Sequence, residues 1–312
     1  MKAVLPALAR PLLEARLPDD LKVAWFASPR EAAAGIADAE IAWVDMQPTS
    51  LVADAVRAGG PGLRWVSTIY AGLDAFPLDW LRERGVILTN GVGINAIAVA
   101  EYAVMGVLAA AKRFDEVVRA QRRGDWLADA PGKIELFGTR AIIIGYGAIG
   151  RLISERLAAF GVAVTGVTRS GASGTLTPDA WRERLPEFDW VILAAPSTPD
   201  TKAMIGTAEL ARFKPGAWLV NIARGDMVDE EPLLAALRSG AIGGAFLDPT
   251  NPEPLPPGHP LWTAPNCMLT MHLSGRSQTK MFQRAGELFL ANLDAYRAGG
   301  RMKNVADLEA GY

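Results

Sequence analysis

One cysteine and two histidines are all this chain offers of the residues that most often bind metals or act as nucleophiles and acid–base groups. The lone Cys267 excludes an internal disulfide framework and a thiolate-rich structural zinc site. No cysteine cluster or HExxH spacing suggests a metal, and none is required. No apolar stretch reaches the length of about 18 residues that a membrane span needs. The longest candidate, residues 96–111, is interrupted by Glu101 and closed by Lys112 and Arg113. At the N-terminus Arg10, Pro11 and Glu14 stop the apolar run before a signal-peptide core forms. A net charge of −2 gives no global basic field for nucleic acid. These absences leave a cytoplasmic globular protein with no membrane or nucleic-acid partner. Its 312 residues, half of them apolar, suit two domains of ordinary size.

What is present alternates. Residues 21–26, 40–44, 63–69 and 86–89 read as short β-branched strands bounded by turn residues. Helix-like stretches at 29–39, 50–58 and 77–84 separate them. One long helix is expected from 96 to about 123. A second series comes next, with strands at 141–144, 162–167, 190–194, 217–222, 243–247 and 267–270 and helices at 149–160 and 229–237. Between 249 and 260, six prolines leave too few backbone donors for helix or sheet. Two alternating series predict an α/β protein of two doubly wound parallel-sheet domains.

Gly145-Tyr146-Gly147-Ala148-Ile149-Gly150 directly follows a strand and opens a helix. Glycines at this spacing permit a tight turn, close approach of a pyrophosphate and close helix–strand packing. The helix N-terminus then turns free N–H groups toward the phosphates. Gly91-Val92-Gly93-Ile94-Asn95-Ala96 fits a looser form of the same pattern. The chain downstream of each loop separates them. After Gly150 one helix leads straight to the 162–167 strand and completes a βαβ unit, whereas after Ala96 no strand appears until Ala141. The first is therefore read as the dinucleotide loop, with a structural tight turn as the alternative, and the second as an interdomain turn.

An acid at the end of the second strand of such a unit holds the ribose 2′-hydroxyl of NAD. Here the strand ends Val167-Thr168-Arg169-Ser170, and the next acid is Asp179. Thr168 leaves room, and Arg169 and Ser170 offer hydrogen bonds to a 2′-phosphate. NADP(H) is thus favoured over NAD(H); the competing reading makes Arg169 a solvated loop residue or a stacking partner for adenine.

His272 follows the 267–270 strand, where carboxyl ends of parallel strands face ligands. Arg224 occupies the equivalent place after the 217–222 strand, and Glu253 lies in the proline loop after 243–247. Singly, these read as a capping histidine, a salt-bridge arginine and a surface acid. As a set they fit hydride transfer to a 2-keto acid. The planar fork of Arg224 would hold the carboxylate and polarise the carbonyl. Imidazole exchanges protons near neutral pH, so His272 would protonate the nascent alkoxide. Glu253 would orient the ring and favour the imidazolium. His259, in Pro-Gly-His-Pro, reads as an exposed loop residue.

With these residues in hand, almost the whole chain resembles the D-isomer-specific 2-hydroxyacid dehydrogenases. The resemblance runs through Tyr70-Ala71-Gly72-Leu73-Asp74, Asn90, Ala98-Val99-Ala100-Glu101, the Gly145–Gly150 loop and Asn221-Ile222-Ala223-Arg224-Gly225. It continues through Leu247-Asp248, Glu253-Pro254-Leu255, Pro260-Leu261-Trp262 and Leu269-Thr270-Met271-His272. It implies that Arg224, Glu253 and His272 are catalytic. Tyr70, the N–H groups of Ala71 and Gly72, and Arg224 would bind substrate. Asp248 and Ser274 would contact the nicotinamide amide, with Pro196 and Ala223 also on the cofactor. A flavodoxin-like substrate domain, 1–96 with 283–312, would receive a Rossmann domain, 97–282, as an insertion. Family members are usually dimers joined through the cofactor domain and the long helix near Glu101.

Departures are visible too. Met271 stands where the family usually has proline, and Pro249-Thr250-Asn251-Pro252 is an unusual lead-in to Glu253. Arg276 reads either as a binder of a second anionic group or as a surface charge, and Tyr70, Met46 and Trp262 as pocket walls or core packing. The chain ends at Tyr312, without the regulatory domain appended to many phosphoglycerate dehydrogenases. The expectation is an NADP(H)-preferring reductase of small 2-keto acids, with glyoxylate or hydroxypyruvate as substrate. Its rivals are an NAD-dependent 3-phosphoglycerate dehydrogenase and, from another class, a dinucleotide-sensing protein like the co-repressors of this fold.

Overall fold

The computed structural model describes residues 1–309, which divide into two compact units. One comprises Met1–Asn95 with the described residues from Gln278 onward, and the other Ala96–Ser277. The second crossing thus falls a few residues before the expected 282.

In the first unit β1 (Lys2–Pro6), β2 (Lys22–Phe26), β3 (Ile41–Trp43), β4 (Trp65–Ser67) and β5 (Ile87–Thr89) form a parallel sheet. Their order is β2-β1-β3-β4-β5. β1 is absent from the strands expected from the sequence, yet it lies inside the sheet. Ala3 and Leu5 enter one core, Val4 the opposite one, and all three are inaccessible. A strand buried on both faces carries no polar alternation to reveal it. The helix Met281–Arg297 closes one face, with Phe289 stacked on Trp65 at 5.1 Å and tilted on Trp43 at 5.5 Å.

In the second unit β6 (Arg140–Ile144), β7 (Ala163–Val167), β8 (Trp190–Leu193), β9 (Trp218–Asn221), β10 (Gly244–Leu247) and β11 (Cys267–Leu269) are also parallel. The order β11-β10-β9-β8-β6-β7 reverses between β6 and β8, the switch point at which doubly wound sheets bind ligands. Ile142 and Ile144 face one core, Ala141 and Ile143 the other.

The long helix expected from 96 to 123 is two helices, Ala96–Lys112 and Phe114–Arg123, parted by Arg113 at φ 47°. The residue type gives no warning. The break coincides with the return of the chain at Gly132, where an added Cβ would lie 2.2 Å from the Lys112 carbonyl carbon. The left-handed conformation is accompanied by ion pairs of Arg113 with Asp115 and Glu116. No helix among the described residues is long and apolar enough to cross a membrane.

Candidate active site

The glycine loop between β6 and the helix Ala148–Ala159 divides its work among three positions. Gly145 has φ 101°, and a Cβ there would meet the Ala195 nitrogen at 2.3 Å. Gly150 sits so close that a Cβ would lie 2.3 Å from the Gly145 carbonyl oxygen. Gly147 differs: a Cβ would meet nothing within 4 Å, because the loop there borders open space. Gly147 is also the N-cap and supplies no side-chain cap to the first-turn amides. A tight turn, an open middle and a helix packed on its strand are what a pyrophosphate requires. The residues present therefore fit a dinucleotide. Gly91 plays another part, since its Cβ would strike the Ile69 carbonyl oxygen at 1.9 Å.

Thr168, Arg169 and Ser170 leave the carboxyl end of β7, the last two exposed. The Thr168 hydroxyl lies 2.7 Å from that of Thr175, and the Ser170 hydroxyl accepts from the Ala172 N–H at 3.3 Å. A parallel bridge from Val167 to Leu176 closes this loop. No carboxylate stands at the strand end. Pro196 follows β8 in the same way.

Arg224, Glu253 and His272 leave the carboxyl ends of three neighbouring strands, β9, β10 and β11. Buried Asn221 shapes the first turn, accepting from the Ala223 N–H at 3.0 Å and donating to the Arg224 carbonyl at 2.7 Å. Arg224 Nη1 donates to the Ala223 carbonyl at 2.8 Å. Gly225 lets the proline loop close onto this turn, because a Cβ would lie 2.1 Å from the Thr250 carbonyl carbon. Three residues further along that loop comes Glu253.

Asp248 holds the third loop. Its fully buried Oδ1 accepts from the Thr270 hydroxyl at 2.8 Å and from the N–H groups of Leu273 and Ser274 at 2.9 and 3.2 Å. The His272 N–H donates to the Asp248 carbonyl at 2.8 Å. Ser274 is itself 2% exposed. On this scaffold Glu253 Oε1 lies 2.7 Å from His272 Nδ1, with both side chains open to solvent. A proton on Nδ1 shared with the carboxylate leaves Nε2 as the nitrogen able to pass a proton outward. Met271 and His272 have φ 51° and 54°. A proline at 271 could not adopt that angle, so the departure from the family pattern matches the backbone.

Tyr70, Ala71 and Gly72 belong to the first unit, in the loop after β4. The Tyr70 carbonyl accepts from the Gly91 N–H at 2.8 Å, and Asn90 reaches the Ala71 carbonyl at 3.4 Å. Asp45, which no sequence pattern singles out, anchors this loop. Its carboxylate accepts from the Thr68 hydroxyl at 2.5 Å, the Ile69 N–H at 2.6 Å and Trp43 Nε1 at 2.6 Å. Burial pushes that carboxyl up to about 6, against the pull of the three donors. Tyr70 and Met46 line a cavity beside Asp45, whereas Trp262 belongs to the second unit and donates its Nε1–H to the Pro256 carbonyl at 2.9 Å. Arg276 is exposed beside the His272 loop, and His259 pairs with Glu230 at 3.2 Å.

Known proteins resemble this chain in sequence and in fold. Residues 104–274 match the model of the D-isomer specific 2-hydroxyacid dehydrogenase NAD binding domain. The glyoxylate reductase/hydroxypyruvate reductase of Mus musculus is 34% identical over 244 residues, 75% of this chain and 74% of that protein. The D-3-phosphoglycerate dehydrogenase of Mycobacterium leprae is 30% identical over 303 residues, 95% of this chain and 57% of that one. A D-isomer specific 2-hydroxyacid dehydrogenase from Xanthobacter autotrophicus, solved with NADPH and MES, superposes with a TM-score of 0.79. It is 28% identical and each chain covers 100% of the other. The chain therefore belongs to the D-isomer specific 2-hydroxyacid dehydrogenases, and it is an NAD(P)-dependent oxidoreductase.

Proposed function

We propose that this protein reduces small 2-keto acids to D-2-hydroxy acids with NADPH, glyoxylate and hydroxypyruvate among them, and that it works as a cytoplasmic homodimer. The observation that carries the reading is the 2.7 Å Glu253–His272 pair on the same sheet edge as Arg224. When bound, NADPH would supply the hydride that the carbonyl carbon gains, and the carbonyl oxygen gains a proton from the protein, with NADP+ as the oxidised product. Arg224 polarises the carbonyl and pairs with the carboxylate through its planar fork. The amides of Ala71 and Gly72 would bind the substrate carboxylate, as the family resemblance implies. His272 Nε2 gives its proton to the alkoxide oxygen, and Glu253 steadies the ring in the orientation that permits this. Asp248 is a positioning residue, because its carboxylate is committed to the loop that carries His272. Arg169 and Ser170 take the 2′-phosphate, a reading supported by the absence of an acid at the end of β7 and by the NADPH-bound Xanthobacter relative.

Initial rates of absorbance loss with glyoxylate and hydroxypyruvate, NADPH against NADH, test this. Strong turnover with NADPH and little with NADH is expected. A preference for NADH refutes the 2′-phosphate assignment and keeps the chemistry. No turnover of these acids, nor of larger or phosphorylated ones, while cofactor still binds leaves the dinucleotide-sensing reading. Light scattering of the purified protein tests the dimer.

A further inference from the structure

A cavity of about 570 Å³ opens at the carboxyl end of the first unit's sheet. Its wall comes from the ends of β1, β2, β3 and β4 and the start of the last helix, and its large side chains include Phe26, Trp43, Met46, Ile69, Tyr70 and Phe282. Glyoxylate has no carbon substituent beyond its carbonyl and would leave nearly all of that space empty. Tyr70 precedes the Ala71 and Gly72 amides directly. Tyr70 is itself part of the wall, so a 2-keto acid held by its carboxylate at Ala71 and Gly72 would have the cavity one residue away.

The chemistry of the wall selects among substituents. Among the described residues no lysine or arginine lines the cavity. Its one charged side chain is Asp45, whose oxygens are engaged by Trp43, Thr68 and Ile69. A phosphate or second carboxylate would lose its water shell facing an anion with no counter-charge. A hydrocarbon or an aryl ring gains by covering the apolar wall. We propose that the preferred substrates are 2-keto acids with an uncharged branched or aromatic substituent, seated against Met46, Tyr70 and Phe282. This rests on the dehydrogenase reading and on carboxylate binding at Ala71 and Gly72.

The test is a series of kcat/KM values with NADPH for glyoxylate, hydroxypyruvate, 4-methyl-2-oxopentanoate, phenylpyruvate and 3-phosphohydroxypyruvate. The branched or aryl acid should exceed glyoxylate by at least about tenfold, as filling a pocket by a few carbons allows. In Ala7→Phe and Met46→Trp, which shrink the cavity, the ratio of the bulky acid to glyoxylate should fall by about tenfold or more. A ratio measured in one preparation is independent of how much of the variant folds. Glyoxylate equal to or better than the bulky acids, or the phosphorylated acid as best substrate, overturns the proposal while leaving the dehydrogenase reading intact. No turnover of any of the five overturns both.

Discussion

Two carboxylates, Asp45 and Asp248, each tie a loop to the end of a strand, and no motif announces either task. Asp45 finds its partners more than twenty residues along the chain, at Thr68 and Ile69, so only the folded sheet joins them. Because burial holds its carboxyl at about 6, the folded protein keeps a proton that the unfolded chain releases near 3.8. Stability contributed by that proton is complete below pH 3.8 and is lost as pH rises toward about 6, above which it is flat. Asp45→Asn should remove this slope, read as urea midpoints at pH 4.5 and 7. A variant that keeps the wild-type slope would assign it to another group. The acid–base assignment predicts that His272→Ala lowers kcat by about 10²–10⁴ while NADPH affinity, followed by fluorescence titration, stays within a few-fold. Turnover like the wild type would sink it. That Arg224, Glu253 and His272 share one edge of the sheet was legible in the sequence, because each follows a readable strand. Their 2.7 Å contact was not, since it depends on how the proline loop lies.

Among the elements, the glycine loop was readable because a tight turn and a close helix approach admit almost no other residue. β1 was not, and neither was the break at Arg113, where no glycine or proline marks the stop. Gly225 belongs to the same lesson: its reason is a second loop, not its own turn. Gly225→Ala places a Cβ 2.1 Å from the Thr250 carbonyl carbon, so the proline loop must move. Activity should drop by more than about tenfold, and the melting temperature should fall by several degrees, equivalent to about 1–3 kcal/mol. Thermal melts and steady-state rates check this; unchanged kcat would mean that Glu253 keeps its place without the contact. The nucleotide helix gives a matched case, since Gly150→Ala thrusts a methyl group at the Gly145 carbonyl and should weaken NADPH binding.

Each unit of the molecule has apolar clusters on both faces of its own sheet. A nicotinamide cofactor at about 100 times its Kd would stabilise the unit that binds it by about 2.7 kcal/mol. Calorimetry should show a transition that rises with the cofactor in the wild type and rises less in Gly150→Ala. Equal rises in both proteins would place the cofactor elsewhere. The chain enters the second unit at Ala96 and returns at Gln278, which hydrogen-bonds Asn95 at 2.7 Å and so closes the seam in the first. That seam has a consequence for birth rather than for catalysis. Ribosomes deliver the inserted unit whole before they have made the helix Met281–Arg297. The first unit, begun earliest, is finished last: Phe289 must reach Trp43 and Trp65, and Glu287 must reach Arg16 across 271 residues. A nascent chain halted just after Ser277 therefore carries the entire glycine-loop unit while the sheet that began with Lys2 still lacks the helix that covers it.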